Sequence, residues 1–192
     1  MAKTISLLFG VHAHQPVGNF PEVIDDAHLR CYRPFLQTLH RFPEFRFAVH
    51  LSGWLLDYLL QKFPEDMVLL QEMVARGQVE LFGAGDTEPV LAVIPEQDRI
   101  GQLTRFSDKL EARLGQRPQG AWLTERVWEA TVVPSLADAG IRYVTVDDYH
   151  FLCAVHRRIG RVHRRYASVR QRMHGCAGIV SGTHQPGANT GA

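Results

Sequence analysis

Glu125 lies in the run Ala121-Trp122-Leu123-Thr124-Glu125-Arg126-Val127-Trp128-Glu129, at the end of a short apolar stretch and between two tryptophans. An ionised carboxylate beside aromatic walls suits attack on an anomeric carbon, or stabilisation of its charge, with the aromatic faces holding the pyranose ring. Glu125 and Arg126 also read as a plain surface ion pair. The two readings separate on whether other polar groups converge on the same place.

Several do. His12-Ala13-His14 has the period of a strand, so both imidazoles share one face, and Gln15 follows them. Such a pair can bond sugar hydroxyls, serve as satisfied structural histidines, or bind a metal together with a carboxylate. The spacing identifies no third metal ligand. The loop Gly83–Pro89 is glycine-rich but lacks the Gly-Lys-Ser/Thr of a phosphate loop, which argues against nucleotide binding. Its glycines let the backbone turn sharply and present Glu88. Glu80 falls inside an apolar run, where a half-buried carboxylate needs a partner, either a sugar or an ion pair. Trp122 and Trp128 fit a core equally well, although flanking a carboxylate favours one of them as a stacking platform. In Asp147-Asp148-Tyr149-His150, two adjacent carboxylates cannot both be buried and charged, so one is expected to face a cleft and the other to cap a turn.

The elements that must position these groups alternate. Strand patterns run over 5–11, 46–51, 79–83, 120–123 and 141–146. Helical patterns fill 25–41, with an interruption at Pro34, then 54–62, 64–76, 95–114 and 132–139. Pro64 suits a first helical position, Glu65 and Asp66 favour the positive end of that helix, and Gly77 and Gly115 are stop signals. Strands separated by helices imply right-handed βαβ units and a parallel sheet. Every chemical candidate then falls at or near the C-terminal end of a strand, where α/β folds bind ligands.

Composition sets the limits. The 192 residues suffice for one domain with a core, and 45% hydrophobic with 21% charged residues is ordinary for a globular chain. No apolar run is long enough to span a bilayer, and the N-terminus reads as a first strand rather than a leader. Cys31, Cys153 and Cys176 have no metal-type spacing, so reduced thiols and a cytoplasmic location are expected. The net charge of +1 conceals an asymmetry. Residues 1–154 hold all 20 acidic residues against 14 basic ones, a net of −6. Residues 155–192 hold seven arginines, four histidines and no acid.

The stretches His12-Ala-His14-Gln15-Pro16-Val-Gly-Asn-Phe20, Val79-Glu80-Leu-Phe-Gly-Ala-Gly85 with Glu88-Pro89, Trp122-Leu-Thr-Glu125-Arg-Val-Trp128 and Asp147-Asp148-Tyr-His-Phe151 resemble glycoside hydrolase family 57. The likeness is to its 4-α-glucanotransferase and α-amylase-like members and covers about residues 4–152. It implies an α/β fold, here an incomplete (β/α)7 TIM-like barrel of about five βα units with an irregular basic C-terminal tail. It also implies a retaining glycoside hydrolase or 4-α-glucanotransferase acting on α-1,4-glucans or maltooligosaccharides through a glycosyl-enzyme ester on Glu125. His12, His14, Glu80 and Trp122 would line donor sugar subsites. Gln15, Glu88, Arg126, Trp128, Asp147 and Asp148 complete the expected substrate contacts. No metal or organic cofactor, nucleic acid or membrane enters that chemistry.

The likeness has a limit. The family's acid/base is an aspartate after a later strand, and this chain offers no candidate for it. The chain as written is therefore expected to be truncated and inactive. Residues 1–154 form the barrel portion, and 155–192 read as disordered or frameshifted, arginine over lysine pointing to a GC-rich coding sequence. Three alternatives stand beside this reading: a non-catalytic α-glucan-binding remnant, a zinc-dependent polysaccharide deacetylase or mannosidase-like barrel suggested by His12 and His14, and a nucleic-acid binder using the basic tail.

Overall fold

The computed structural model describes residues 7–147, 150 and 178–181, the last four by their backbone alone. Five parallel strands pair in chain order: β1 (Gly10–Ala13), β2 (Phe47–Leu51), β3 (Val79–Gly83), β4 (Gly120–Trp122) and β5 (Tyr143–Val146). Sequential order without a switch of direction is the order of a barrel wall, not of a doubly wound sheet. The wall curls. His12 of β1 and Trp122 of β4 are separated by two strands, yet their rings stack with centroids 4.6 Å apart.

Two expectations differ in detail. The first strand is Gly10–Ala13 rather than 5–11, so His12 lies within it; residues 1–6 are outside the described ones. The sheet is also not purely parallel, because β6 (Gly178–Ser181) pairs antiparallel with β5. An antiparallel edge on a parallel sheet is a common arrangement. This strand falls in the segment read as disordered or frameshifted, whose other residues lie outside the described ones.

Helices cover one face. They are α1 (Pro21–Ala27), α2 (Arg33–His40), α3 (Gly53–Lys62), α4 (Pro64–Ala75), α5 (Glu96–Leu114) and α6 (Val132–Asp138). The interruption expected at Pro34 is a π-helical turn, His28–Tyr32, just before it. Proline has no N–H to continue the ladder, and a widened turn absorbs the loss without breaking the helix axis. Strand alternation sends Val49, Leu51, Val79 and Leu81 to the helix side, against Leu55, Leu59, Leu70 and Phe106. Ala121, Leu123, Val144 and Val146 pack on Leu103, Val132 and Leu136. Truncating one of these leucines to alanine would cost about 2–5 kcal/mol. The intervening strand residues His12, His50, Glu80, Phe82, Trp122 and Tyr143 face the other way, toward the inside of the wall. Among the described residues no helix is long and apolar enough to cross a membrane.

Candidate active site

A cleft of about 320 Å³ opens at the C-terminal ends of β1–β4. It brings together His12, His14, Gln15, Glu88, Trp122 and Glu125 of the expected site residues. Three backbone facts build it. Gly53 stands so near Asp86 that an added Cβ would lie 2.3 Å from the Asp86 carbonyl oxygen. At Gly85 an added Cβ would meet the Pro89 ring at 2.6 Å. These glycines thus permit close approach of the loop, while the left-handed turn falls on Glu88 itself, with φ 52°.

Glu125 follows β4 in a 3-10 turn, Thr124–Arg126, with φ 53° and ψ 11°. Glu88, Glu125 and Arg126 are the non-glycine residues with positive φ among those described. Each such residue costs about 1–2 kcal/mol. All three lie in or beside one cleft, and strain concentrated in that way marks places where side-chain aim outweighs stability.

The two histidines share a face as expected. The His14 Nδ1 contacts Glu88 Oε2 directly. His12 stacks on Trp122, with ring centroids 4.6 Å apart, and lies edge to edge with His50. Its Nδ1 lies 2.7 Å from the Nδ1 of His50, so one ring donates and the other accepts. His12 has a solvent-facing side toward the cleft, but burial on its other side and the neighbouring His14 hold its pKa down at about 4. His50 is fully buried, which lowers its pKa well below the usual imidazole value, with His12 and His14 adding to the effect. Glu88 is raised, chiefly by burial; His14 opposes that rise and Glu125 adds to it. His12 and His50 are therefore neutral at neutral pH, beside a carboxyl, Glu88, whose charge burial disfavours.

The remaining expected residues fall elsewhere. Glu80 is exposed on the inner face, on β3 rather than at its C-terminal end, and accepts a hydrogen bond from Tyr143 Oη. That ring lies flat across β4 because position 120 is glycine; a Cβ there would sit 2.3 Å from it. Arg126 pairs with Asp147 at 3.3 Å, not with Glu125, and its carbonyl accepts from His150 Nε2 at 2.9 Å. Trp128 packs on the second core cluster. Asp148 lies outside the described residues. Gln15 lines the cleft, held by Tyr32 and Asn19 at 3.0 and 2.8 Å.

The sequence reading missed His50, Trp54 and Asp86. His50 sits opposite His12 in the β1–β2 register. Its signal was present: it is the lone polar residue in an apolar run, at the C-terminal end of a strand. Asp86 lines the cleft while its carboxylate pairs with Lys109 at 2.7 Å. The same lysine holds Asp57 of α3 at 2.7 Å, which anchors the loop to the helix layer.

The comparisons with known proteins agree with this geometry. The model of glycosyl hydrolase family 57 matches residues 8–174. A 4-alpha-glucanotransferase of Thermococcus litoralis is 48% identical over 152 residues, 79% of this chain and 23% of that protein. An alpha-amylase of Pyrococcus horikoshii is 48% identical over 150 residues, 78% of this chain and 24% of that one. The crystal structure of the T. litoralis glucanotransferase superposes with a TM-score of 0.74 over 77% of this chain and 23% of that one. The chain thus spans about a quarter of the length of the curated relatives it matches.

Proposed function

Since the chain belongs to glycosyl hydrolase family 57, we propose that it carries the nucleophile-bearing, donor-sugar side of a retaining α-1,4-glucan hydrolase or 4-α-glucanotransferase. Glu125 is the nucleophile in this reading, and Trp122, His12 and His14 receive the sugar it attacks. The observation that carries it is the convergence of Glu125, His12, His14, Glu88 and Trp122 on one cleft from three separate strand ends, those of β1, β3 and β4. His12 is neutral at neutral pH, so it offers a hydrogen bond to a hydroxyl without placing a positive charge beside a developing oxocarbenium ion. Glu80, Arg126 and Asp147 extend the set of glucan contacts along the inner face and the β4 and β5 ends, and Asp148 joins them on its sequence motif alone.

Retention needs a second carboxyl group about 5–5.5 Å from the nucleophile to protonate the leaving oxygen. The proposed acid/base of the family has no counterpart in these 192 residues, so the chain by itself binds glucan but does not turn it over. Calorimetry with maltooligosaccharides beside a reducing-sugar assay tests that pairing of results. The nucleophile can be tested separately. A glycosyl fluoride needs no protonation to leave, so α-maltosyl fluoride should esterify Glu125 without an acid. Intact mass spectrometry should show one maltosyl adduct on the peptide containing Glu125, absent in Glu125→Gln. Binding without an adduct, or an adduct on another residue, would remove Glu125 from its role.

A further inference from the structure

We propose that His12, His14 and Glu88 form a binding site for a divalent transition metal of the zinc type. One ligand atom from each of the three lies within 4.8 Å of the others. Donors on a tetrahedral zinc at about 2.0–2.2 Å stand about 3.3–3.6 Å apart, so the set closes with a side-chain movement of about 1–1.5 Å. The shift is available because His14 is 45% exposed and its contact with Glu88 is the one the cation would replace.

The orienting partner is already in place. His50 is fully buried, and its Nε2 has no hydrogen-bond partner. That atom lies 3.8 Å from Glu88 Oε1, the oxygen that His14 does not use. A single choice of tautomers satisfies the group. His12 Nδ1–H donates to His50 Nδ1 at 2.7 Å. His50 Nε2–H then points at the Glu88 carboxylate, and His12 keeps a free lone pair on Nε2. A ligating carboxylate and a ligating imidazole, each steered by the same buried residue, is the kind of supporting arrangement metal sites depend on. Two imidazoles and one carboxylate select zinc, cobalt or nickel over calcium and magnesium, which prefer oxygen. Three protein ligands leave a fourth position for water. A cation there occupies the polar floor that glucan would use, so metal and glucan exclude one another. Only this last point rests on the proposed function.

The test is Co(II) titration of the full chain followed by visible absorption, with Zn(II) affinity measured by competition. The expected result is a low-symmetry nitrogen/oxygen cobalt spectrum at one equivalent, lost on addition of Zn(II). His14→Ala and Glu88→Gln should weaken Zn(II) at least about a hundredfold, and His50→Gln about tenfold. His40→Ala, at a surface pair with Glu72, should leave it unchanged. Circular dichroism checks that each variant is folded. In the parent chain, imidazole nitrogen NMR should show His12 and His14 shifting with the first equivalent of Zn(II). Unshifted His12 and His14, or variants that bind as the parent does, would overturn the site and move the metal to the histidines and cysteines near the C-terminus. Zn(II)-saturated chain that still binds maltooligosaccharide undiminished would overturn the exclusion. Failure of the parent to bind glucan counts against the proposed function alone, since the cobalt spectrum still decides the metal.

Discussion

His28 and His50 both lack exposed surface, yet they are buried on opposite sides of one sheet. His28 belongs to the helix layer. Its Nε2 meets Asp66 Oδ2 at 2.7 Å, its ring lies 4.1 Å from that of Phe63, and Arg33 Nε reaches the same Asp66 oxygen at 2.7 Å. His50 belongs to the inner face. Its close polar neighbour is another imidazole, and the carboxylate beyond it stays at 3.8 Å. In the helix layer a buried charge is answered in place, and the answer is a hinge pin between α2 and α4. Each histidine leaves one buried ring nitrogen without a partner, His28 Nδ1 and His50 Nε2; what sets the inner face apart is that its buried imidazole is kept uncharged and meets another imidazole rather than a carboxylate. The first arrangement stabilises a fold; the second leaves capacity for something that arrives from solution.

The sharpest way to break this contrast is Asp66→Ala. It leaves buried His28 without its partner and Arg33 with only the exposed Glu65, and the expected loss is about 3 kcal/mol by urea unfolding. A loss below about 1 kcal/mol would mean that the helix-layer pair is ornamental and the contrast empty. His50→Ala should cost somewhat less, about 2 kcal/mol, mostly from the cavity it leaves, but should also weaken maltooligosaccharide binding. Asp66→Asn should not change glucan affinity in whatever fraction stays folded.

Acid gives a second view of the same difference. His12 and His50 bind protons less readily folded than unfolded. Their contribution to stability is therefore complete above the unfolded value of about 6.5 and drains away as pH falls, for His12 down through about 4. Glu88, with a raised value, acts in the opposite sense and softens the slope. The unfolding midpoint should fall from about pH 6.5 to pH 4, and a His12→Asn/His50→Gln double variant should show a flatter profile. An unchanged profile would mean that the inner face ionises as freely as the unfolded chain does.

How much of this could be read beforehand depends on the distance over which each feature is encoded. The helices and five strands follow from local periodicity, and Pro64, Gly77 and Gly115 mark their ends. The convergence of His12, Glu88 and Glu125 follows from one topological rule about strand ends. His50 did not stand out because a single polar residue in an apolar run is ordinary until its neighbour strand is known; only the register with His12 gives it meaning. Arg126 was read beside Glu125 because they are adjacent in sequence, whereas two consecutive left-handed residues, both at φ 53°, turn the arginine to Asp147. The use of Gly120 as a seat for the Tyr143 ring is likewise a property of paired strands, invisible along either one alone.

Glu125 puts the contrast on a single residue, where function and stability should separate. Its backbone is left-handed, a conformation glycine accepts without strain. Glu125→Gly should therefore stabilise the fold by about 1 kcal/mol while abolishing the maltosyl adduct. A destabilised Glu125→Gly would show that the side chain anchors the turn, and the strain would then have no functional reading.

The smallest effect belongs to Tyr143 and asks where the inner face stops serving a ligand. Its hydroxyl donates to Glu80, the exposed carboxylate on β3 away from the cleft. Tyr143→Phe keeps the ring over Gly120, and with it the packing against Phe82 at 5.9 Å. Only the hydrogen bond is lost, and because Glu80 can turn to water the cost should be below about 1 kcal/mol. If Glu80 contacts glucan, releasing it from a fixed orientation should still lower maltooligosaccharide affinity about two- to fivefold, a difference calorimetry resolves. Unchanged affinity would assign Glu80 and Tyr143 to structure. The boundary of the ligand-binding surface would then run between β3's middle and its C-terminal end, so that even on the inner face the wall is divided into a part that answers its own charges and a part that waits for a sugar.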